Sequence, residues 1–474
     1  MVTPSAGLWE RITGYVRDDF RRLSTRLQAM IEGPPSPGLY TYRCDGPDSR
    51  HRLHLRVHDD GSTVVFVNAT QAIHLPLSMG HMLYLAFERT DPDVAVQHLQ
   101  VAYPEVSTER LAADYRNVQI MAQKLRRPGS HCRVQELGIE QPPPFSVRAR
   151  APYKADIALH YKCNNHCSHC YNEPGRKSSV SLSAPRWEEV LQRLYDIGVP
   201  YIIFTGGEPT LHPDLVRLVA NAEKLGQITG VNTNGRALAD PSLVQNLLEA
   251  GLDHVQITLA SHRREVHNEI VAADAFDETV AGIRNCLEAG LHVLTNTTLL
   301  SDNVNEALEI VDFLHDLGLG TFAMNGMIHS GCGARHPSAV EGPQVKPVLE
   351  RVRDRADAYD MRFLWYTPTM YCRMSPLDIG LGYKSCNAAE YSICIEPDGD
   401  VLPCQSYYEA CGNILDDPWD VIWNSPLFRR LRFRRERPVE AGLPERCHEC
   451  EQLMVCGGGC PLQRQAEEEG KDNE

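Results

Sequence analysis

Cys163-Asn-Asn-His-Cys167-Ser-His-Cys170 sets three thiols at C-x3-C-x2-C spacing, directly after a strand-like run from Ala155 to Tyr161. A loop this short can turn all three thiols toward one small object. Cysteine thiolates hold iron–sulfur clusters, normally four to a cubane. Three local ligands without an adjacent fourth therefore leave one iron open to something that is not protein. A zinc site is the rival, because Cys3His is a structural zinc set and His166 and His169 lie inside the loop. Zinc modules usually come as two C-x2-C pairs or as C2H2, so the spacing favours the cluster.

Downstream, strands and helices alternate. Strand-like runs cover Ile157 to Tyr161, Tyr201 to Thr205, Thr229 to Thr233, His254 to Leu259, His292 to Leu299 and Thr321 to Met324. Between them, Trp187, Val190, Leu191, Leu194 and Ile197 recur at helical spacing, as do Ile310, Phe313, Leu314 and Leu317. Gly198, Gly226, Gly251, Gly290 and Gly318 sit where helix C-caps fall. Six βα units in series predict an α/β fold, a partial (β/α)6 barrel over 153–345 with right-handed crossovers and its chemistry at the strand ends.

Those ends carry small polar groups. They are Gly206-Gly207-Glu208-Pro209, Asn232-Thr-Asn234-Gly235, Gln256 to Ser261, Asn296-Thr-Thr298, and Asn325 with Gly331. Each alone reads as a turn or cap. In order after the cysteine loop, and with aromatic Tyr171 following the third cysteine, they resemble the radical S-adenosylmethionine (SAM) enzymes. The resemblance implies a [4Fe–4S] cluster on Cys163, Cys167 and Cys170, with the amino and carboxylate groups of SAM on the fourth iron. It also implies SAM contacts at Tyr171, Gly206, Gly207 and Glu208, ribose or carboxylate contacts at Asn234 or Ser261, and further contacts at Thr298 and Asn325. Reductive cleavage of SAM would then yield a 5′-deoxyadenosyl radical that abstracts hydrogen from an unactivated C–H bond. Electrons would come from a flavodoxin- or ferredoxin-type donor.

Near the C-terminus, Cys386, twelve residues, Gly399, four residues and Cys404 are followed by Cys447-x2-Cys450-x5-Cys456-x3-Cys460. This is similar to the SPASM extension of radical SAM enzymes, which implies two auxiliary [4Fe–4S] clusters and three clusters in all. Carried over by position, Cys386, Cys404 and Cys460 serve the first auxiliary cluster, with Cys372 as the best-placed fourth. Cys447, Cys450 and Cys456 serve the second. The family's last cysteine is absent from Pro461 to Glu474, so an open iron, a non-thiolate ligand or Cys411 is expected there. Zinc is again the rival for paired cysteines.

Ahead of the barrel, Leu8 to Met30 carry a helix-spaced apolar stripe, and residues 39–135 read as a β-hairpin followed by three helices. The hairpin joins Arg52–His58 to Thr63–Val67 through Asp59-Asp-Gly61, and Ser107 is an N-cap candidate. This layout resembles the winged-helix-like PqqD domain, which implies leader-peptide binding by strand addition. Gln141-Pro-Pro-Pro-Phe lies in a stiff linker, 136–152. The expected organisation is thus helix 1–38, recognition domain 39–135, linker 136–152, barrel 153–345 and SPASM domain 346–474.

The formal charge of −15 and pI near 5.7 disfavour nucleic acid, whose phosphates need concentrated Lys and Arg. No apolar run approaches the roughly 18–20 residues of a membrane span, and Met1 to Glu10 lack a signal-peptide layout. A cytoplasmic protein is expected, and there sixteen cysteines point to metal rather than disulfides. SPASM-bearing radical enzymes mostly modify peptides. The expected activity is crosslinking of a ribosomal peptide or small protein, with Cys-to-Asp or Cys-to-Glu carbon thioethers first. The layout is similar to maturases of the quinohemoprotein amine dehydrogenase type. Gln405 after Cys404 disfavours the alcohol oxidation of sulfatase activators. The alternatives are a haem-pathway or cofactor maturase and a non-catalytic electron-transfer scaffold.

Overall fold

The computed structural model describes residues 34–44, 50–68, 70–127, 141–173, 180–340 and 342–471. The helix expected over 8–31 lies outside them. The chain divides between Gln141 and Pro142 into two compact units. Among the described residues, no helix is long and apolar enough to cross a membrane.

The first unit is a four-stranded antiparallel meander followed by three helices. The strands are β1 (Gly38–Arg43), β2 (Arg52–Val57), β3 (Thr63–Val67) and β4 (Gln71–Leu75). The helices are α1 (Leu77–Phe87), α2 (Pro92–Ala102) and α3 (Thr108–Leu125). The β2–β3 turn is closed by Ser62, whose amide and hydroxyl both donate to Asp60 Oδ1. Leu53, Leu55, Val65, Val67 and Ile73 lie in one apolar core with Leu83, Leu99, Leu111 and Tyr115 from the helices. Asp91 and Ser107 cap α2 and α3 through their side chains, as Asn, Asp and Ser do at helix starts. The sheet has two strands more than the expected hairpin. Both are short edge strands whose regularity comes from backbone pairing with β2 and β3 rather than from their own alternation.

The second unit carries β5 (Lys154–Ala158), β6 (Tyr201–Thr205), β7 (Ile228–Thr233), β8 (His254–Thr258), β9 (His292–Leu299), β10 (Thr321–Gly326), β11 (Arg362–Trp365), β12 (Ser392–Ile395) and β13 (Val401–Leu402). They form one open sheet in the order β11-β10-β9-β8-β7-β6-β5-β12-β13. Every pairing is parallel except β12 with β13. The crossover helices are α4 (Ala184–Ile197), α5 (Leu215–Leu225), α6 (Pro241–Glu249), α7 (Arg264–Val271), α8 (Phe276–Glu288), α9 (Ala307–Asp316) and α10 (Gly342–Ala358). Gly198 and Gly226 end α4 and α5 at φ 94° and 90°, a left-handed conformation that favours glycine.

Two boundaries differ from expectation. β5 ends at Ala158, so Leu159 to Tyr161 lead into the cysteine loop instead of finishing the strand. The βα pattern also continues past residue 345, through α10 and β11. Pro347 lies inside α10.

Strand periodicity explains the two faces of the sheet. Ile157, Ile202, Phe204, Val231, Val255, Ile257, Phe322 and Met324 share a core with helix residues such as Trp187, Leu191 and Ile310. The alternate positions, in register across the strands, are Thr205, Asn232, Gln256, Thr258, Asn296, Thr298 and Asn325. The helix-facing layer holds the fold, and the opposite face carries these polar groups among apolar Ala158, Ile203, Leu294 and Ala323. Phe204→Ala, at a fully buried position, should cost about 3–5 kcal/mol. Thermal unfolding by circular dichroism should shift several degrees lower, and an unchanged curve would contradict this packing.

Candidate active site

The cysteine loop is held from several sides by backbone groups at strand and helix ends. Gly207 N donates to His160 O at 2.7 Å and Glu208 N to Lys162 O at 2.8 Å, joining it to the end of β6. His166 N and Ser168 N, each at 3.0 Å, donate to Val271 O and Ile270 O at the end of α7. Cys332 N donates to Cys170 O at 2.8 Å from the short helix Gly331–Arg335. These approaches explain the glycines. A Cβ on Gly207 would lie 2.3 Å from Lys162 O, and one on Gly331 would lie 2.4 Å from Tyr171 O.

Burial, then the neighbouring Cys170 and Cys163, pushes the Cys167 thiol up to about 12, so the loop does gather its three thiols. Among the described residues, no three His, Cys, Asp or Glu side chains converge closely enough to hold a single metal ion. A cubane takes each thiolate at a different iron, so it asks for thiols around a space rather than at a point.

The predicted SAM contacts fall into two groups. Glu208 is 1% exposed. Its Oε1 accepts from Thr210 N, Thr210 Oγ1 and Thr233 Oγ1, and its Oε2 accepts from Asn234 N at 2.7 Å. Burial raises its pKa against these hydrogen bonds. Its carboxylate therefore ties β6 to β7, and Oε2, with one hydrogen bond, keeps acceptor capacity. Asn234 Nδ2 donates to Asn164 Oδ1 at 2.6 Å, inside the cysteine loop. Ser261 is fully buried and donates to Glu306 Oε2 at 2.7 Å. All three side chains thus have protein partners as well, which short motifs do not reveal.

Thr298 and Asn325 stay together, with Asn325 Nδ2 donating to Thr298 Oγ1 at 3.3 Å. The buried Oδ1 atoms of Asn325 and Asn296 have no partner. Orphaned acceptors on the polar face suit a ligand rich in amino and hydroxyl donors, and three thiols on a glycine-cradled loop suit an iron–sulfur cluster. The residues present fit both groups.

Three residues were missed at the sequence level. Arg236 Nη1 donates to Asn164 O and Asn165 Oδ1 while its Nε holds Glu278. Asn172 Nδ2 donates to Gly206 O at 3.0 Å. Tyr408 OH donates to Tyr171 O. None sits in a recognisable motif, and each is identified by what it touches.

The C-terminal cysteines form two groups. Burial, then Cys386, pushes Cys404 up to about 12, with Cys460 adding to it. Cys460 rises to about 11 by burial and Cys386. Burial also raises Cys447, beside the thiols of Cys456, Cys372 and Cys450. Two placements correct the sequence reading. Cys372 lies with the second group, not with Cys386. Cys411 joins neither group: its amide donates to Val401 O and its thiol reaches Glu409 O at 3.9 Å. A buried ionic knot braces both groups. Arg434 and Arg435 pair with Glu390 at 3.2 and 2.7 Å, and Arg434 also donates to Cys386 O and Gly457 O.

An open, mostly parallel α/β sheet with thiols at its strand mouths and further thiol groups C-terminal to it defines a class of radical enzyme. Residues 157–314 match the radical SAM superfamily, and residues 386–451 match SPASM, an iron–sulfur cluster-binding domain. The chain therefore contains a radical SAM domain and a SPASM domain. SAM, a [4Fe–4S] cluster and auxiliary iron–sulfur clusters are accordingly its cofactors. It is 28% identical over 322 residues to a PqqA peptide cyclase of Streptomyces rochei, covering 66% of this chain and 85% of that one. It is likewise 28% identical over 334 residues to the Fe-coproporphyrin III synthase of Methanosarcina barkeri, covering 64% and 82%. Among solved structures, Streptococcus suis SuiB bound to its precursor peptide SuiA shares the fold. The TM-score is 0.63 at 17% identity, over 89% of this chain and 96% of that one.

Gly207→Ala tests the pinned loop. The added methyl meets backbone, which cannot swing aside, so about four irons per chain should be lost while the SPASM iron remains. Full iron retention would contradict the close approach.

Proposed function

We propose that this chain is a maturase that crosslinks a ribosomally made peptide or small protein, with Cys-to-Asp or Cys-to-Glu carbon thioethers as the favoured bond. The observation that carries this reading is the nearness of a SPASM segment to the cysteine loop. Gln405 Oε1 and Ser406 O, directly after Cys404, accept from Tyr171 OH at 3.5 Å and Ser330 Oγ at 2.9 Å. Bound SAM and its cluster supply one-electron chemistry that removes hydrogen from an unactivated C–H bond. Cys163, Cys167 and Cys170 would hold that cluster. Arg236 and Asn234 fix the loop, Glu208 fixes Asn234, and Asn296 with Asn325 offers acceptors that orient a donor-rich ligand. A flavodoxin- or ferredoxin-type protein is the proposed reductant.

The first unit supports a peptide substrate. Among the described residues β1 and β4 are the two edges of its antiparallel sheet, and an edge is where an extended leader adds a strand. In this reading the unit is a PqqD-like recognition domain, 39–135. PqqA peptide cyclase acts on a peptide, and SuiB is seen with one. A small-molecule maturase is the second reading, because the coproporphyrin synthase is equally similar. That reading leaves the first unit without a task.

Coexpression with a panel of small Cys-containing peptides and proteins, followed by intact-mass analysis, separates the two. Wild type should remove two hydrogens per thioether formed, and the Cys163/Cys167/Cys170→Ala chain should remove none. Turnover of an iron porphyrin with no peptide change would contradict the proposal.

A further inference from the structure

Cys372 is far closer in sequence to Cys386 than to Cys447, yet its backbone is fastened to the second thiol group. Tyr371 N donates to Cys456 Sγ at 3.4 Å, and Cys456 Sγ reaches Thr369 O at 3.9 Å. Arg446 Nη2 lies 3.9 Å from Met370 Sδ. On the other side, Arg373 holds Glu467 with two hydrogen bonds of 2.6 and 2.7 Å. Gly459 completes the seat, since a Cβ there would lie 2.7 Å from Met370 Cγ. Cys372 is thus gripped between two residues that each contact the 446–467 segment.

We propose that Cys372 is the fourth thiolate of the second auxiliary cluster, with Cys447, Cys450 and Cys456. The first auxiliary cluster is then held by Cys386, Cys404 and Cys460 alone and keeps one iron open. This rests on the radical SAM and SPASM assignment. It inverts the expected sharing, in which Cys372 completes the first cluster and the second is left short.

Among the described residues of the second unit, no other cysteine fills the first group. Cys394 packs with Ala158, Tyr161 and Leu402, and Cys286 lies in the barrel core. Cys411 is held at Glu409, and Cys332 is bonded to Cys170 through its amide. Position matters as well. The three-thiol group is the one whose chain, through Gln405 and Ser406, touches the radical site. Cys372 and Cys450 are exposed, so the closed cluster lies toward solvent.

The test uses the full chain with Cys163, Cys167 and Cys170 changed to Ala, which leaves only auxiliary iron, about eight per chain. Removing the first group as well (Cys386/Cys404/Cys460→Ala) should leave a cluster that survives mild oxidation without a [3Fe–4S] signal in electron paramagnetic resonance. Adding Cys372→Ser should make that signal appear. Removing the second group instead (Cys447/Cys450/Cys456→Ala) should leave a cluster that gives the signal and binds added β-mercaptoethanol, whether or not Cys372 is present. The opposite pattern would overturn the proposal. Absence of iron from every chain would overturn the family assignment as well, and is distinguishable on that ground.

Alkylation gives a readout that does not depend on these multiple substitutions. Exposed Cys372 should resist iodoacetamide in the holoprotein and in Cys386→Ala, and react in Cys447→Ala. Reaction in Cys386→Ala and protection in Cys447→Ala would overturn it.

Discussion

The backbone hydrogen bonds around residues 160–172 are the constraint on which the rest depends. A cluster loop has little apolar surface of its own, so burial cannot fix its shape. Here β6 pins its start through Gly207 and Glu208, α7 pins its middle through Ile270 and Val271, and Gly331–Arg335 pins its end at Cys170. The first two anchors sit at the C-terminal ends of β6 and α7, and the third at the start of the short helix that follows β10. The apolar layer between sheet and helices therefore sets the position of the thiols, and a change in core packing reaches the site through those ends.

The polar face of the sheet follows from the same alternation. Seven of its positions from Thr205 to Asn325 carry hydroxyls or amides, while neighbours such as Phe204, Val231, Val255, Ile257 and Met324 carry apolar groups into the helix layer. Two of those amides keep an acceptor without a partner. An unmade hydrogen bond of a buried group costs about 1–3 kcal/mol, and a ligand with donors in the right place recovers it.

Most of the barrel and all three local thiols were legible in the sequence, because parallel strands, helix periods and C-x3-C-x2-C are local patterns. What escaped was set by contacts between distant segments. β1 and β4 exist through pairing, α10 continues in spite of Pro347, and Ser261 is taken by Glu306. The three-residue motif at Glu208 does not show its partners, because Thr233 and Asn234 come from the end of the next strand. Cys372 shows the limit most directly: sequence proximity favours Cys386, while the backbone beside it, at Tyr371, bonds Cys456 Sγ.

Diffraction from crystals of the anaerobically reconstituted protein, collected at the iron absorption edge, tests the central claim directly. The account predicts three iron clusters: one on Cys163, Cys167 and Cys170, one on Cys386, Cys404 and Cys460, and one on Cys372, Cys447, Cys450 and Cys456. Anomalous signal at the zinc edge instead, or no iron at the Cys163 loop, would contradict it.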